Sequence, residues 1–141
     1  YKTSDLDGIN KKIKHFFNLI KLLKKEGPFD VVHSHIDFFN GINLLAAFIA
    51  GVPIRISHSH NTNSANTNRE NSSIFINIYR KFMRFLIDIF STDIVGCSED
   101  ANKYMYGKKY TKAEVIYNGL DIDKFKKIDY VKDCLRCGFI I

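Results

Sequence analysis

The chain has 141 residues, 45% of them hydrophobic, with 12 Phe, 7 Tyr and a formal net charge of +6 from 21 Lys and Arg against 15 Asp and Glu. That length holds one globular core but not two, and that composition excludes intrinsic disorder. No apolar run approaches the ~20 residues of a membrane span, and the positive excess suits anionic partners, such as phosphates, nucleic acid or an anionic lipid surface, without choosing among them.

The opening "YKTSDLDG" is polar, does not read as a secretory signal and begins with Tyr rather than Met, so the chain is expected to be a piece of a longer protein. Residues 9–25, "INKKIKHFFNLIKLLKK", carry Ile9, Ile13, Phe16, Phe17, Ile20 and Leu23 at helical spacing, and Gly27-Pro28 stops the helix. "FDVVHSH" (29–35) is a short β-branched run and reads as a buried strand. A helix over 38–51 closes at Gly51, and Pro53 leads into the strand "IRISHSH" (54–60). The stretch 61–73, "NTNSANTNRENSS", has almost nothing apolar to bury and reads as a mobile loop.

Helical period returns over 74–90, with Ile74, Ile78, Phe82, Phe85 and Ile89 on one apolar stripe. A strand over 92–98, a short helix over 99–107 that Ser98 can cap, and a strand over 113–119 follow. Strands alternating with helices predict an α/β fold, a doubly wound parallel sheet with right-handed crossovers. In such sheets ligands sit at the carboxyl ends of the strands. His33 and His35, His58 and His60, Ser98 and Glu99, and Asn118 and Gly119 all fall there.

The two H-S-H triplets hold four of the five histidines. Strand alternation puts His33 with His35 on one face, and His58 with His60 on one face, so four imidazoles can converge. Against a metal stand the packed layers of a parallel sheet and the lack of a carboxylate or Cys ligand at motif spacing, so no metal site is expected. The simpler reading makes His33 and His58 satisfied buried polar residues. Three cysteines, Cys97, Cys134 and Cys137, show no disulfide framework, and "CLRC" (134–137) lacks a second pair. Neither a glycine-rich phosphate loop nor a G-x-S-x-G elbow is present.

"FDVVHSH", "GVPIRISHSHNT", "STDIVGCSEDANKYMYG" and "VIYNGLDIDKF" occur in the order and spacing seen in family 4 glycosyltransferases. The chain resembles the bacterial members that build capsular or exopolysaccharide. The resemblance covers roughly residues 9–126 and implies the two-domain GT-B fold, of which this would be a partial Rossmann-like domain in the N-terminal half. Residues 1–118 would form the later part of the acceptor-side domain, and 119–141 an interdomain linker and an unassigned tail.

The resemblance implies a retaining transfer of a sugar from a nucleotide sugar to a polysaccharide or lipid-linked acceptor. No cofactor is implied: the nucleotide sugar is a substrate, bound mainly by the C-terminal domain, which this chain lacks, so the piece alone is expected to be inactive. His60 and His35 would line the reacting cleft as catalytic groups, with His58 the competing match. Asn61, Thr62, Ser98 and Glu99 would meet the acceptor, although a helix cap is an equal reading for Ser98 and Glu99. Asn118 and Gly119 would form the hinge. The expected location is cytoplasmic, peripheral on the inner face of the plasma membrane, with no nucleic acid as partner. Two other readings stay open: a nucleotide-sugar 2-epimerase of the same fold, and a non-catalytic basic module that binds anionic surfaces.

Overall fold

A computed structural model describes residues 9–62 and 74–119. Most of the asparagine-rich loop and the expected linker and tail beyond Gly119 lie outside the described residues. In chain order the elements are α1 (Ile9–Glu26), β1 (Val31–Ser34), α2 (Asn40–Ala50), β2 (Ile54–Ser59), α3 (Ile74–Phe90), β3 (Asp93–Gly96), α4 (Glu99–Tyr106) and β4 (Glu114–Val115). Two 3₁₀ helices, Asp37–Phe39 and Gly107–Lys112, were not expected, and β4 is only two residues long.

The four strands form one parallel sheet in the order β1-β2-β3-β4. This is the expected α/β architecture of Rossmann-like type. Register pairs Ser34 with Ser57 and Ser59 with Gly96, so inward positions line up from strand to strand. α2 and α4 pack on the serine face of the sheet, because Asn40 of α2 and Tyr106 of α4 both bond Ser57. Val31 and Ile54, on the opposite face, are exposed.

Helix ends follow local chemistry. Gly51 closes α2 at φ 87°, a left-handed conformation that costs other residues a Cβ clash. Ser98 caps α4, its hydroxyl accepting from the Ala101 amide. Arg55 donates to the Phe90 carbonyl at 2.6 Å, one that the end of α3 leaves open, and to the Val52 carbonyl at 2.6 Å in the connection after α2. Arg84 serves α4 in the same way, through the carbonyls of Met105 at 2.9 Å and Tyr104 at 2.6 Å.

The core joins Phe38, Met83, Leu86, Ile87, Met105 and Tyr106. One expectation about α3 is corrected here. The stripe Ile74, Ile78, Phe82, Phe85 and Ile89 faces outward, and α3 buries Met83, Leu86 and Ile87 instead. Asn77, Arg80, Lys81, Arg84 and Asp88 share one face of the helix, and the apolar arc that remains is wide enough to hold both rows, so period alone could not choose the row that meets α2. Gly41 makes that meeting close: a Cβ there would lie 2.8 Å from the Met83 carbonyl oxygen. On α1, Phe16, Ile20 and Leu23 are half-buried, while Ile13 and Phe17 are exposed.

Candidate functional site

Each H-S-H triplet sits at the carboxyl end of a strand, and strand alternation sorts its residues to two sides. The serines point inward. Asn40, fully buried, donates to Ser57 Oγ at 3.0 Å and to the His58 carbonyl at 3.3 Å. Its Oδ1 accepts from Ser34 Oγ and from the Ile36 amide, both at 2.7 Å. Asn43 donates to Ser34 Oγ at 3.0 Å and meets His15 Nε2 at 3.0 Å, which ties α1 to the network. Tyr106 Oη reaches the carbonyls of Ser57 at 2.7 Å and Val95 at 2.8 Å. Ser59 Oγ donates to the Ala101 carbonyl at 2.8 Å.

The histidines point the other way and form a ladder. His58 Nδ1 meets His33 Nε2 at 3.1 Å, and His35 Nδ1 meets His60 Nε2 at 2.8 Å. The rings of His58 and His60 stack at 4.1 Å between centroids, and those of His33 and His58 at 5.1 Å. Each short nitrogen–nitrogen contact needs one proton between the two rings, so at least one imidazole of each pair donates.

Burial, followed by repulsion from His60, lowers the pKa of His33. Burial, then His33 and His60, lowers that of His35. His58 is only 7% exposed, and burial, reinforced by its three neighbours, brings its pKa down to about 4. At neutral pH His33, His35 and His58 are therefore neutral donors of lone pairs and single N–H groups. His58 Nε2 is buried and has no hydrogen-bond partner among the described residues.

The structure thus brings His35 and His60 together, and it places His58 beside them rather than in a separate layer. Of the two histidines expected to be satisfied and buried, His58 is buried but leaves Nε2 without a partner among the described residues, and His33 is exposed. Asn61 and Thr62 follow His60 and are exposed. Cys97 Sγ lies 3.5 Å from the His60 carbonyl, which carries β3 up against the same corner. Ser98 and Glu99 are occupied locally: Ser98 caps α4, and Glu99 pairs with Lys103 at 3.1 Å. Asn118 and Gly119 are exposed and outside any element.

Sequence reasoning missed two features. Asn40 and Asn43 anchor the triplets from beneath, and nothing in their own helix signals those distant partners. Asp37, the first residue of the 3₁₀ helix that follows β1, has φ 44° and a buried Oδ1 without a partner among the described residues. Aspartate is among the few residues that tolerate that backbone region, yet nothing in the surrounding letters signals it.

A parallel α/β sheet with polar side chains gathered at its carboxyl edge is of Rossmann-like type. Residues 4–124 match the family model described as Glycosyltransferase Family 4, and the chain belongs to that family. It is 37% identical to the capsular polysaccharide biosynthesis glycosyltransferase CapH of Staphylococcus aureus, over 83% of this chain and 32% of CapH. It is 34% identical to EpsF of Bacillus subtilis, over 77% of this chain and 28% of EpsF. A third relative is the UDP-Gal:alpha-D-GlcNAc-diphosphoundecaprenol alpha-1,3-galactosyltransferase of Escherichia coli, 28% identical over 82% of this chain and 29% of the relative.

Among solved structures, HepE (Alr3699) of Anabaena in complex with UDP superposes with a TM-score of 0.60 at 19% identity, over 78% of this chain and 28% of HepE. The complex of HepE with UDP-glucose gives 0.58. At that identity the likeness establishes the fold. The chain spans about a third of the length of these relatives or less.

Proposed function

We propose that this chain supplies the acceptor-facing part of a transferase that moves a sugar, with retention, from a nucleotide sugar to a polysaccharide or lipid-linked acceptor. The observation that carries this reading is the His35–His60 contact of 2.8 Å at the carboxyl edge of a parallel sheet. Among the described residues no hydrogen bond engages His60 Nδ1, and the ring is exposed, so an acceptor hydroxyl can reach it. His35 fixes the ring from its other nitrogen. An oriented imidazole of this kind holds the attacking hydroxyl in line without itself becoming the nucleophile.

The comparisons support the substrate classes. The E. coli relative is named for a UDP-sugar donor and a diphosphoundecaprenol acceptor, and the HepE crystals hold UDP and UDP-glucose. The donor would be held chiefly by the part of the relatives beyond the matched segment. A lipid-linked acceptor would bring the enzyme to the inner membrane surface. The exposed Lys11, Lys14, Lys21, Lys24 and Lys25 of α1 suit an anionic leaflet, and no described helix is long and apolar enough to cross one.

The test is to incubate the full-length protein with a panel of nucleotide sugars and lipid-linked acceptors and to follow the anomeric proton by NMR. Acceptor-dependent product with the donor's anomeric configuration is expected. Conversion of the donor without acceptor would point to epimerisation. No conversion, with salt-sensitive binding to anionic vesicles alone, would leave a surface-binding module.

A further inference from the structure

We propose that the outward stripe of α3 docks on an anionic lipid bilayer, its apolar side chains entering the headgroup region while basic residues beside it meet lipid phosphates. Ile74, Ile78, Phe82, Phe85 and Ile89 lie along one side of the helix, and each is more than half exposed. Phe75 borders them at 82% exposure. Single apolar residues on a surface need no partner, but a continuous row of this size marks a contact site. The inner row of the same helix already serves the core through Met83, Leu86 and Ile87. Packing within the domain therefore leaves the outer row without a task.

Charge decides what covers that row. α3 has no Asp or Glu from Ile74 to Ile87, where Arg80, Lys81 and Arg84 stand, and Asp88 is paired with Lys109 at 3.0 Å. α1 has no acidic residue from Ile9 to Lys25. Both helices pack on α2, and Lys12 Nζ of α1 lies 5.4 Å from the centre of the Tyr79 ring of α3, so their surfaces adjoin. The exposed side of α1 repeats the mixture, with Ile13 and Phe17 among Lys14, Lys21 and Lys24. Phe and Ile make no directional bonds, and Lys reaches a phosphate on a flexible apolar stem. Those are the properties of a helix lying in the boundary between acyl chains and anionic headgroups. A second copy docked on this face would set lysine against lysine as its apolar rows met. With 17 residues, about 25 Å, α3 lies along a bilayer and does not cross it.

The position of the row suits a lipid-linked acceptor, and to that extent the inference rests on the sugar-transfer reading. α3 ends at Phe90, just before β3 begins at Asp93, and α1 ends at Glu26, just before β1 begins at Val31. Helices that feed the starts of parallel strands begin at the level of the strand ends. The amino ends of α1 and α3 thus stand at the carboxyl edge, where His35 and His60 meet. A bilayer along α3 brings its headgroups to the edge that the acceptor has to reach.

The experiment uses the full-length protein and vesicles of phosphatidylcholine with or without phosphatidylglycerol. Sedimentation with the anionic vesicles is expected, weakening as salt rises. Phe82→Ser with Phe85→Ser changes exposed side chains, so melting should stay near wild type while vesicle affinity falls at least ~10-fold. Phe82→Trp adds an indole to a segment that has no tryptophan of its own. Its emission, taken relative to wild type, should shift to the blue on anionic vesicles and be quenched by lipids brominated in the acyl chain. An indole that stays water-exposed on the vesicles would overturn the proposal, as would wild-type affinity in the serine variant. So would a wild-type dimer that the serine variant turns into a monomer, which would assign the row to a second copy. Vesicle binding without sugar transfer would end the proposed activity and leave the docking. Transfer to a soluble acceptor without vesicle binding would do the reverse.

Discussion

Asn40 of α2 donates a 3.0 Å hydrogen bond to Ser57 of β2, and both side chains are completely buried. The same carboxamide bonds Ser34 of β1, so one residue joins a helix to two neighbouring strands directly beneath the histidine ladder. Asn40→Ala should therefore destabilise the protein by about 3 kcal/mol, because it strands buried polar groups as well as losing bonds. The exposed Asn18→Ala should change stability by less than about 0.5 kcal/mol. Urea unfolding checks both. A double-mutant cycle with Ser57→Ala should return a coupling of about 1 kcal/mol, and a cycle that closes to zero would separate the two residues energetically.

Tyr106 makes stability fall at alkaline pH. Burial pushes its phenol up to about 12, against 10.0 in the unfolded chain, and the hydrogen bonds to Ser57 and Val95 offset only part of that rise. The folded state thus favours the neutral phenol. The contribution is fully present below pH 10.0 and is lost as pH rises through about 12. Its size is at most about 3 kcal/mol. Relative to Tyr106→Phe, the wild type should lose stability over that window in chemical-denaturation curves, while parallel curves would contradict the buried phenol.

In the full-length enzyme, His60→Ala should lower kcat/KM by ~100-fold or more, equivalent to about 2.7 kcal/mol of transition-state stabilisation. His35→Ala should lower it less, since His35 acts on the acceptor through His60. His33→Ala should leave sugar transfer much closer to wild type. Should His58→Ala abolish activity in a protein that still folds while His60→Ala does not, the reacting imidazole is one rung further down the ladder.

Gly41 is required by space. An added methyl would lie 2.8 Å from the Met83 carbonyl oxygen and 3.0 Å from Leu86 Cβ, and a backbone carbonyl cannot swing aside. Gly41→Ala should separate α2 from α3 and cost about 2 kcal/mol. Gly51→Ala meets no atom within 4 Å and is strained by its φ of 87° alone, a penalty of about 1 kcal/mol. Calorimetric melting should rank the two in that order.

On α1, Phe16→Ser with Ile20→Ser should unfold the domain, because these half-buried side chains belong to the helix that packs on α2. Lys14→Gln with Lys21→Gln should leave the fold intact and weaken sedimentation with anionic liposomes. A Phe16/Ile20 double variant that stays folded would mean that the helix is held by other contacts.

The elements were legible because their signals are local. The helix at 74–90 and the serine cap at Ser98 need only neighbouring letters, and the structure has both where the sequence puts them. What the letters could not supply was orientation. In α3 both Phe82 and Met83 are apolar, and only the shape of α2 decides that Met83 goes in and Phe82 out. At the site, alternation places His58 and His60 on one face and so cannot say which of them meets a substrate. The anchoring role of Asn40 depends on atoms 17 and 18 positions away, and the unusual backbone of Asp37 on the turn that follows β1.

The sorting of serines to one side and imidazoles to the other has a consequence for how the chain finds its fold. If β2 slid past β1 by one residue, every side chain of the second triplet would change sides. Bulky rings would be driven against α2 and α4, and Asn40 and Tyr106 would face groups that offer them nothing. Apolar strands forgive such a slip, because one branched hydrocarbon replaces another. Here the misaligned pairing is penalised on both faces, so H-S-H written twice works as a key that admits one alignment and rejects its neighbours.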